Sequence, residues 1–321
     1  MRVRFGFVAM SSLRTDLSPS RTMNLSTFRR LPNRQEALQR LTHIAGGNLE
    51  STAALLRHAA EHGIELYRFS SRLIPLLGHP DTEERDFFRY LDRDFRVLGQ
   101  IVRAHGMRVS FHPDHFVVLS SPLEAVQDTS LRTLGFHLRM IDAMELGGRV
   151  RLVVHVGGAY GDRSAALGRF AANVMRLPPR IRTALAVEND DRSFTAAEVL
   201  AGAADLGLPV VIDTLHHRCN GGAKEPLGGL LQQAFRTWPE GEPPKVHLSS
   251  PRDEANPRAH ADFISLADGL DLLEAARPLG QDFDVMIEAK EKDRALLRLC
   301  EELGRQPGVA RLGGGTILYR P

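Results

Sequence analysis

The sequence predicts an α/β fold, a (β/α)8 barrel in one domain with a metal site at the C-terminal face of its strands. Three observations lead there. Short β-branched or apolar runs alternate with longer amphipathic ones along the chain. Eight such strand–helix units follow one another with no break in composition, which favours a closed barrel over an open sheet. Metal-capable side chains recur at the strand ends, where this architecture carries its chemistry.

The strands are expected at Val3 to Val8, Ile64 to Phe69, Met107 to His112, Arg151 to Val156, Ala184 to Glu188, Pro209 to Asp213, Lys245 to Leu248 and Phe283 to Glu288. Each reads as a nearly continuous apolar run, as buried parallel strands do. Helical patterns cover Leu49 to His62, Arg85 to His105, Pro122 to Leu146, Ser164 to Met175, Thr195 to Leu206, Pro226 to Ala234, Ser265 to Arg277 and Lys292 to Leu303. Gly63, Gly106 and Gly207 stand just before the next strand, as residues that end a helix do. No GxGxxG follows the first strand, which counts against a dinucleotide fold. Residues 11 to 40 read as an arginine-rich loop over the functional face. The domain is taken as residues 1–305, and residues 306–321, with Gly313 to Gly315, as a peripheral, loosely held tail.

With 321 residues, 43% hydrophobic and 25% charged, the chain is long enough for one large core. A net charge of +2 argues against indiscriminate binding of nucleic acid, yet leaves room for a basic face. Arginine supplies nearly all of that basicity: the lysines are Lys224, Lys245, Lys290 and Lys292. Cys219 and Cys300 are far apart and lack CxxC spacing, which excludes a cysteine-rich zinc module and a disulfide scaffold. No signal peptide and no membrane-length apolar run are visible, so a soluble, cytoplasmic protein is expected.

The third strand ends at His112 and the fourth at His155. The fifth ends at Glu188, the sixth at Asp213 and the eighth at Glu288, while the seventh holds Lys245 and His247. Singly, such a histidine is commonly a structural residue, and such a carboxylate caps the next helix. Together they resist that reading. Three carboxylates around one axis without cations suffer desolvation and mutual repulsion, which divalent ions relieve. His216 and His260 lie just beyond strands, whereas His217 is expected to point away. Imidazole and carboxylate without thiolate suit manganese, here favoured, or zinc. The donors outnumber a single tetrahedral site, so about two to three ions are implied, with no organic cofactor. Such a centre suits in-line phosphoester hydrolysis.

In this order the motifs LIPLLGHP (Leu73 to Pro80), HPDHF at His112, HVGGAYG at His155, VENDDR at Glu188, DTLHH at Asp213 and KVHLSS at Lys245 resemble the UV damage endonuclease family, relatives of endonuclease IV. The resemblance implies a three-metal barrel that nicks double-stranded DNA immediately 5′ of cyclobutane pyrimidine dimers, 6-4 photoproducts and abasic sites. By motif, His112 and His155 would hold one ion, with Glu188 bridging to a second completed by Asp213, His247 and Glu288. His216 and His260 would hold the third, with Lys245 beside them and carboxylated into a ligand. Glu188, Lys245 and His247 are thereby the expected catalytic group.

Lesion probing falls by resemblance on His115 and Phe116, where relatives more often carry glutamine and then an aromatic residue. Phe7 stands where some relatives have tyrosine. Arg72 is an expected DNA contact, and binding through arginines predicts strong salt dependence. A monomer suits an enzyme that grips a duplex. Two other readings remain open at this point: a metal-dependent sugar isomerase or epimerase on the same barrel, and a non-catalytic damaged-DNA binding protein. The surplus of histidines weighs against the first, and donors exposed at the mouth against the second.

Overall fold

The computed structural model describes residues 1–114, 116–222 and 225–320. Eight parallel strands close a barrel: β1 (Arg2–Val8), β2 (Leu66–Phe69), β3 (Arg108–Phe111), β4 (Arg151–His155), β5 (Leu185–Glu188), β6 (Val210–Asp213), β7 (Lys245–Leu248) and, after a hairpin of β8 (Pro251–Asp253) and β9 (Asn256–His260), β10 (Phe283–Ile287). Closure is made by β10 lying parallel to β1, with Val3 opposite Phe283 and Gly6 opposite Met286. Each observed barrel strand begins and ends within two residues of its expected bounds.

Register fixes which side chains face inward. Val8 lies opposite Arg68, Arg68 opposite Ser110, Val153 opposite Ala186, and Asp284 opposite Lys245. Neighbours in register share a face of the pleat, so these residues line the barrel interior. Val153, Ala186, Val211 and Trp238 form a small apolar cluster there, separate from the main core between sheet and helices. The outward set is aromatic on one side: Phe7 meets Tyr67 edge-on at 5.3 Å, and Tyr67 meets Phe69 at 5.5 Å.

Two regions depart from expectation. The arginine-rich stretch is loop only in part, because Leu25–Arg30 is a short helix and Arg34–Glu61 one helix of 28 residues. Asn24 and Asn33 cap their starts by accepting from Thr27 N and Gln35 N. The Gly46–Gly47 pair lies inside this helix without breaking it. Arg14, Arg29 and Arg34 are ion-paired to Asp16, Asp81 and Glu84.

The C-terminal tail is not loose. β11 (Val309–Arg311) and β12 (Thr316–Tyr319) form an antiparallel pair, and β12 runs antiparallel to the lower half of β1. It takes the edge that β2 takes higher up, and Ile317 is fully buried. The glycine run permits this approach: a Cβ on Gly314 would overlap the His62 carbonyl oxygen at 1.9 Å. Among the described residues, no helix is long and apolar enough to cross a membrane.

Candidate metal centre

Strand ends bring the expected donors together. Glu188, the last residue of β5, is 1% exposed and stands at the centre. Its Oε2 lies 3.0 Å from His112 Nε2 and 3.9 Å from His155 Nε2. Its Oε1 lies 2.9 Å from His247 Nδ1 and 3.6 Å from His216 Nδ1. Two groups of donors result, His112–His155–Glu188 and Glu188–Asp213–His247–Glu288, each with its ligand atoms within 4.8 Å of one another. Glu188 is common to both, one oxygen facing each way.

The surroundings hold these groups in place. Asp213 Oδ1 accepts from His216 N at 2.7 Å, capping the short helix Thr214–Cys219. Asn189, fully buried, donates to the Asp213 carbonyl at 3.1 Å and accepts from Asp213 N at 2.8 Å. Arg68 Nη1 donates to Glu288 Oε1, which also lies 3.3 Å from His247 Nδ1. Neither Asn189 nor Arg68 stood out in the sequence. Asn189 follows a strand-end glutamate in a run of acids. Arg68 did leave a signal, as a cation inside the apolar run ELYRF.

Electrostatics show a site short of positive charge. Burial, reinforced by Glu188 and Glu288, pushes the Asp213 carboxyl up against the pull of His216. His216 is raised to about 9: burial acts against its charge, but Asp213, Glu188 and Glu288 outweigh it. Burial likewise opposes ionisation of Glu188, yet His247 and His155 hold it well below the usual carboxylate range. For Glu288, burial is overcome mainly by Arg68 and His247, and the carboxyl is lowered. Asp213 Oδ2 and His247 Nε2 are buried without a hydrogen-bond partner. Unsatisfied buried donors and acceptors are costly. Two such atoms within one cluster of carboxylates and imidazoles fit a divalent cation.

The remaining expected residues fall around this centre. His216 and His260 sit outside the two groups; His260 Nδ1 is 3.9 Å from Glu288 Oε2. His217 turns away, as expected, to Glu225 O at 3.0 Å. Lys245 is not beside His216 and His260. It starts β7, two residues below His247, and its strongest charged neighbours are Arg108, Asp284, Arg68 and Glu242. Burial above all, then Arg108, drives its pKa well below the ordinary value, and Nζ has no hydrogen-bond partner.

Phe7 does not reach the mouth. It is fully buried on the outward face of β1, against Tyr67, because the pleat turns Gly6 and Val8 inward instead. Phe116 is 60% exposed, and Arg72 Nε lies 3.4 Å from Asp114 Oδ2. His115 lies outside the described residues. The metal-capable cluster opens into a cavity of about 440 Å³. A second cavity of about 470 Å³, lined by Phe116, Phe136 and Arg132, shares Ser71, Arg72 and Asp114 with it.

The sequence model of UV-endonuclease UvdE matches residues 3–320. The UV DNA damage endonuclease of Bacillus pumilus is 40% identical over 322 residues, with full coverage of both chains. The chain belongs to the UV-endonuclease UvdE family. Membership carries the general activity with it: a DNA repair nuclease for UV damage, with DNA as its substrate. The crystal structure of SacUVDE superposes with a TM-score of 0.81 at 27% identity, covering 95% of this chain and all of that one. A D-psicose 3-epimerase from Clostridium cellulolyticum shares the fold alone, at 14% identity and a TM-score of 0.51. The sugar-epimerase alternative thus retains only architecture in its favour.

Proposed function

We propose that this UvdE-family protein incises the DNA backbone immediately 5′ of cyclobutane pyrimidine dimers and 6-4 photoproducts, and of abasic sites, using about two to three divalent ions, manganese before zinc. The observation that carries this reading is the position of Glu188, one carboxylate oxygen toward each donor group beside an open cavity. His112, His155 and Glu188 would hold one ion, and Glu188, Asp213, His247 and Glu288 a second. His216 and His260 would hold a third. Bound there, divalent ions would activate water and stabilise charge on phosphate and leaving oxygens.

The chain's own groups prepare that chemistry. Asn189 fixes the Asp213 backbone, and the capping bond engages Oδ1 and leaves Asp213 Oδ2 as the free donor of the cluster. Arg72, at the shared edge of the two cavities, would contact backbone phosphate, and Phe116, in the lining of the second, would fill the gap in the base stack. His115, the residue before Phe116 in sequence, would belong to the same probe. Lys245 has the makings of a carbamate: a buried amine, favoured neutral, can add to carbon dioxide with loss of a proton. A mass increment of one carbon dioxide at Lys245 would support that modification.

The deciding assay incubates a UV-irradiated, 5′-labelled duplex with protein and manganese, with and without chelator. Lesion-dependent nicking at the 5′ side, abolished by chelator and weakened by salt, is expected. Retention of the damaged duplex without cleavage would instead favour the binding-protein reading. Cell localisation in the cytoplasm and a monomeric state belong to the same proposal.

A further inference from the structure

The wall of the mouth is chemically unequal. From β3 round to β10, strand ends supply imidazoles and carboxylates. β1 and β2 supply neither, and there the cavity is lined by Arg68, Ser20, Ser70, Ser71 and Arg72. Arg68 is turned inward by its register opposite Val8 and Ser110, and is only 8% exposed. Its Nη1 bond goes to Glu288 Oε1, an oxygen of the donor group that includes His247. A guanidinium has five N–H donors in a fork that suits phosphate oxygens.

Lys292 lies behind this wall, near enough for Arg68 and Glu288 to act on its charge. It opens the helix Lys292–Leu303 with a left-handed φ of 43°, four residues after Glu288. Burial and Arg68 both work against its charge, and Glu288 favours it. Glu288 is bonded by Arg68 and belongs to the donor cluster as well. The same Arg68 side chain lines the cavity beside that cluster, within reach of whatever the cavity holds. Beside it, the Ser20 and Ser70 hydroxyls lie 2.7 Å apart.

We propose that Arg68 is a phosphate-binding residue of the active site, holding the scissile phosphodiester against the donor cluster from the β2 side. This deepens the nuclease reading and rests on it. In that arrangement Arg68 donates to non-bridging oxygens, with the Ser20 and Ser70 hydroxyls next to it. The strand, unlike a loop, holds the guanidinium in place before substrate arrives.

The test has two arms, run on the full chain loaded with manganese, for wild type, Arg68→Ala and Arg68→Lys, with metal content measured for each. One arm titrates inorganic phosphate calorimetrically. The other follows single-turnover incision of UV-irradiated duplex. Arg68→Ala is expected to keep its metal, bind phosphate about 10- to 100-fold more weakly and incise more slowly by a similar factor, the scale of a charge-assisted hydrogen bond. Arg68→Lys keeps the charge without the fork and should fall between, and it decides alone if the alanine variant does not fold.

Unchanged phosphate affinity in a fully metallated variant would overturn the proposal. So would loss of metal accounting for the whole defect, since Arg68 would then serve only to hold Glu288. Arg68-dependent phosphate binding by a wild type that leaves DNA uncut would keep the subsite and end the nuclease reading. Incision with Arg68-independent phosphate binding would do the reverse.

Discussion

The two ends of the barrel interior are built by the same alternation from similar residue types, and they behave in opposite ways. At the floor, Asp284 accepts from Arg4 Nε at 2.7 Å and Nη2 at 2.9 Å, and from Arg108 as well. Glu242 accepts from Arg108 Nη2 at 2.6 Å and from Arg151 Nε at 3.0 Å. Both arginines also lie over the Trp238 ring, at 5.2 and 6.0 Å. Every acidic oxygen of that network is satisfied. At the mouth, carboxylates face histidines and each other, and Asp213 Oδ2 and His247 Nε2 are left with nothing. Carboxylates fully paired with arginines hold the floor together, whereas the unpaired carboxylate and imidazole atoms of the mouth suit a ligand.

The largest effect expected from breaking this contrast is at the mouth. Glu188→Ala removes a ligand from both donor groups and should reduce incision by about 10³-fold or more, beyond the loss of a single stabilising group. Metal analysis should show fewer ions per chain, and the metal-free protein should lose stability near neutral pH, because His112 and His247 lose the carboxylate that faces them. At the floor the pattern inverts. Asp284→Ala leaves Arg4 and Arg108 without their shared carboxylate in a buried site, and should cost about 3–5 kcal/mol in denaturant unfolding. Whatever fraction folds should bind manganese normally.

The contrast can also be read through pH. His216, ordinarily near 6.5, is raised to about 9 in the metal-free protein, where burial is outweighed by Asp213, Glu188 and Glu288. A value raised by folding stabilises fully below pH 6.5, and that stabilisation is lost as pH climbs through about 9. Thermal melts of metal-free protein should therefore fall across that window, by roughly 3 kcal/mol at most. Manganese held by His216 would displace the proton, so loading should release protons and remove most of the dependence. A flat profile in the metal-free protein would remove His216 from the charge balance of the site.

Much of this was legible from the chain alone. Strand ends could be read because a buried parallel strand is an apolar run, and its polar terminus stands out against it. His112, His155, Glu188, Asp213, His247 and Glu288 all followed that logic. Lys245 shared the pattern but belongs to the opposite layer: it is at the start of its strand, and two residues of strand lower it toward the floor. Phe7 packs in the barrel wall, away from the probing role its place among relatives suggests, for a related reason. Its phase on β1 faces the helices, which only the register with β2 reveals.

The support around the ligands was harder to see. Asn189 acts through backbone hydrogen bonds that no composition pattern encodes. Asn189→Ala should lower manganese affinity about 10- to 100-fold, the usual effect of losing a residue that orients a ligand, with little change in fold. The tail's strands were hidden by the glycine run beside them, although the TILY segment that follows carries a strand's β-branched and aromatic character.

The smallest expected effect on stability is at the exposed edge. Phe116→Ala should change unfolding by only about 0.5 kcal/mol and leave metal content intact. It should nevertheless narrow the difference between damaged and undamaged duplex in competitive binding. Unchanged selectivity would remove Phe116 from the lesion probe.

One measurement bears on the contrast most directly: anomalous scattering from crystals of the protein grown with manganese. Two or three peaks are expected at the mouth, one on each side of Glu188, with none beside Asp284 or Glu242. A single peak that Glu188 does not touch, or a manganese ion at the floor, would contradict it.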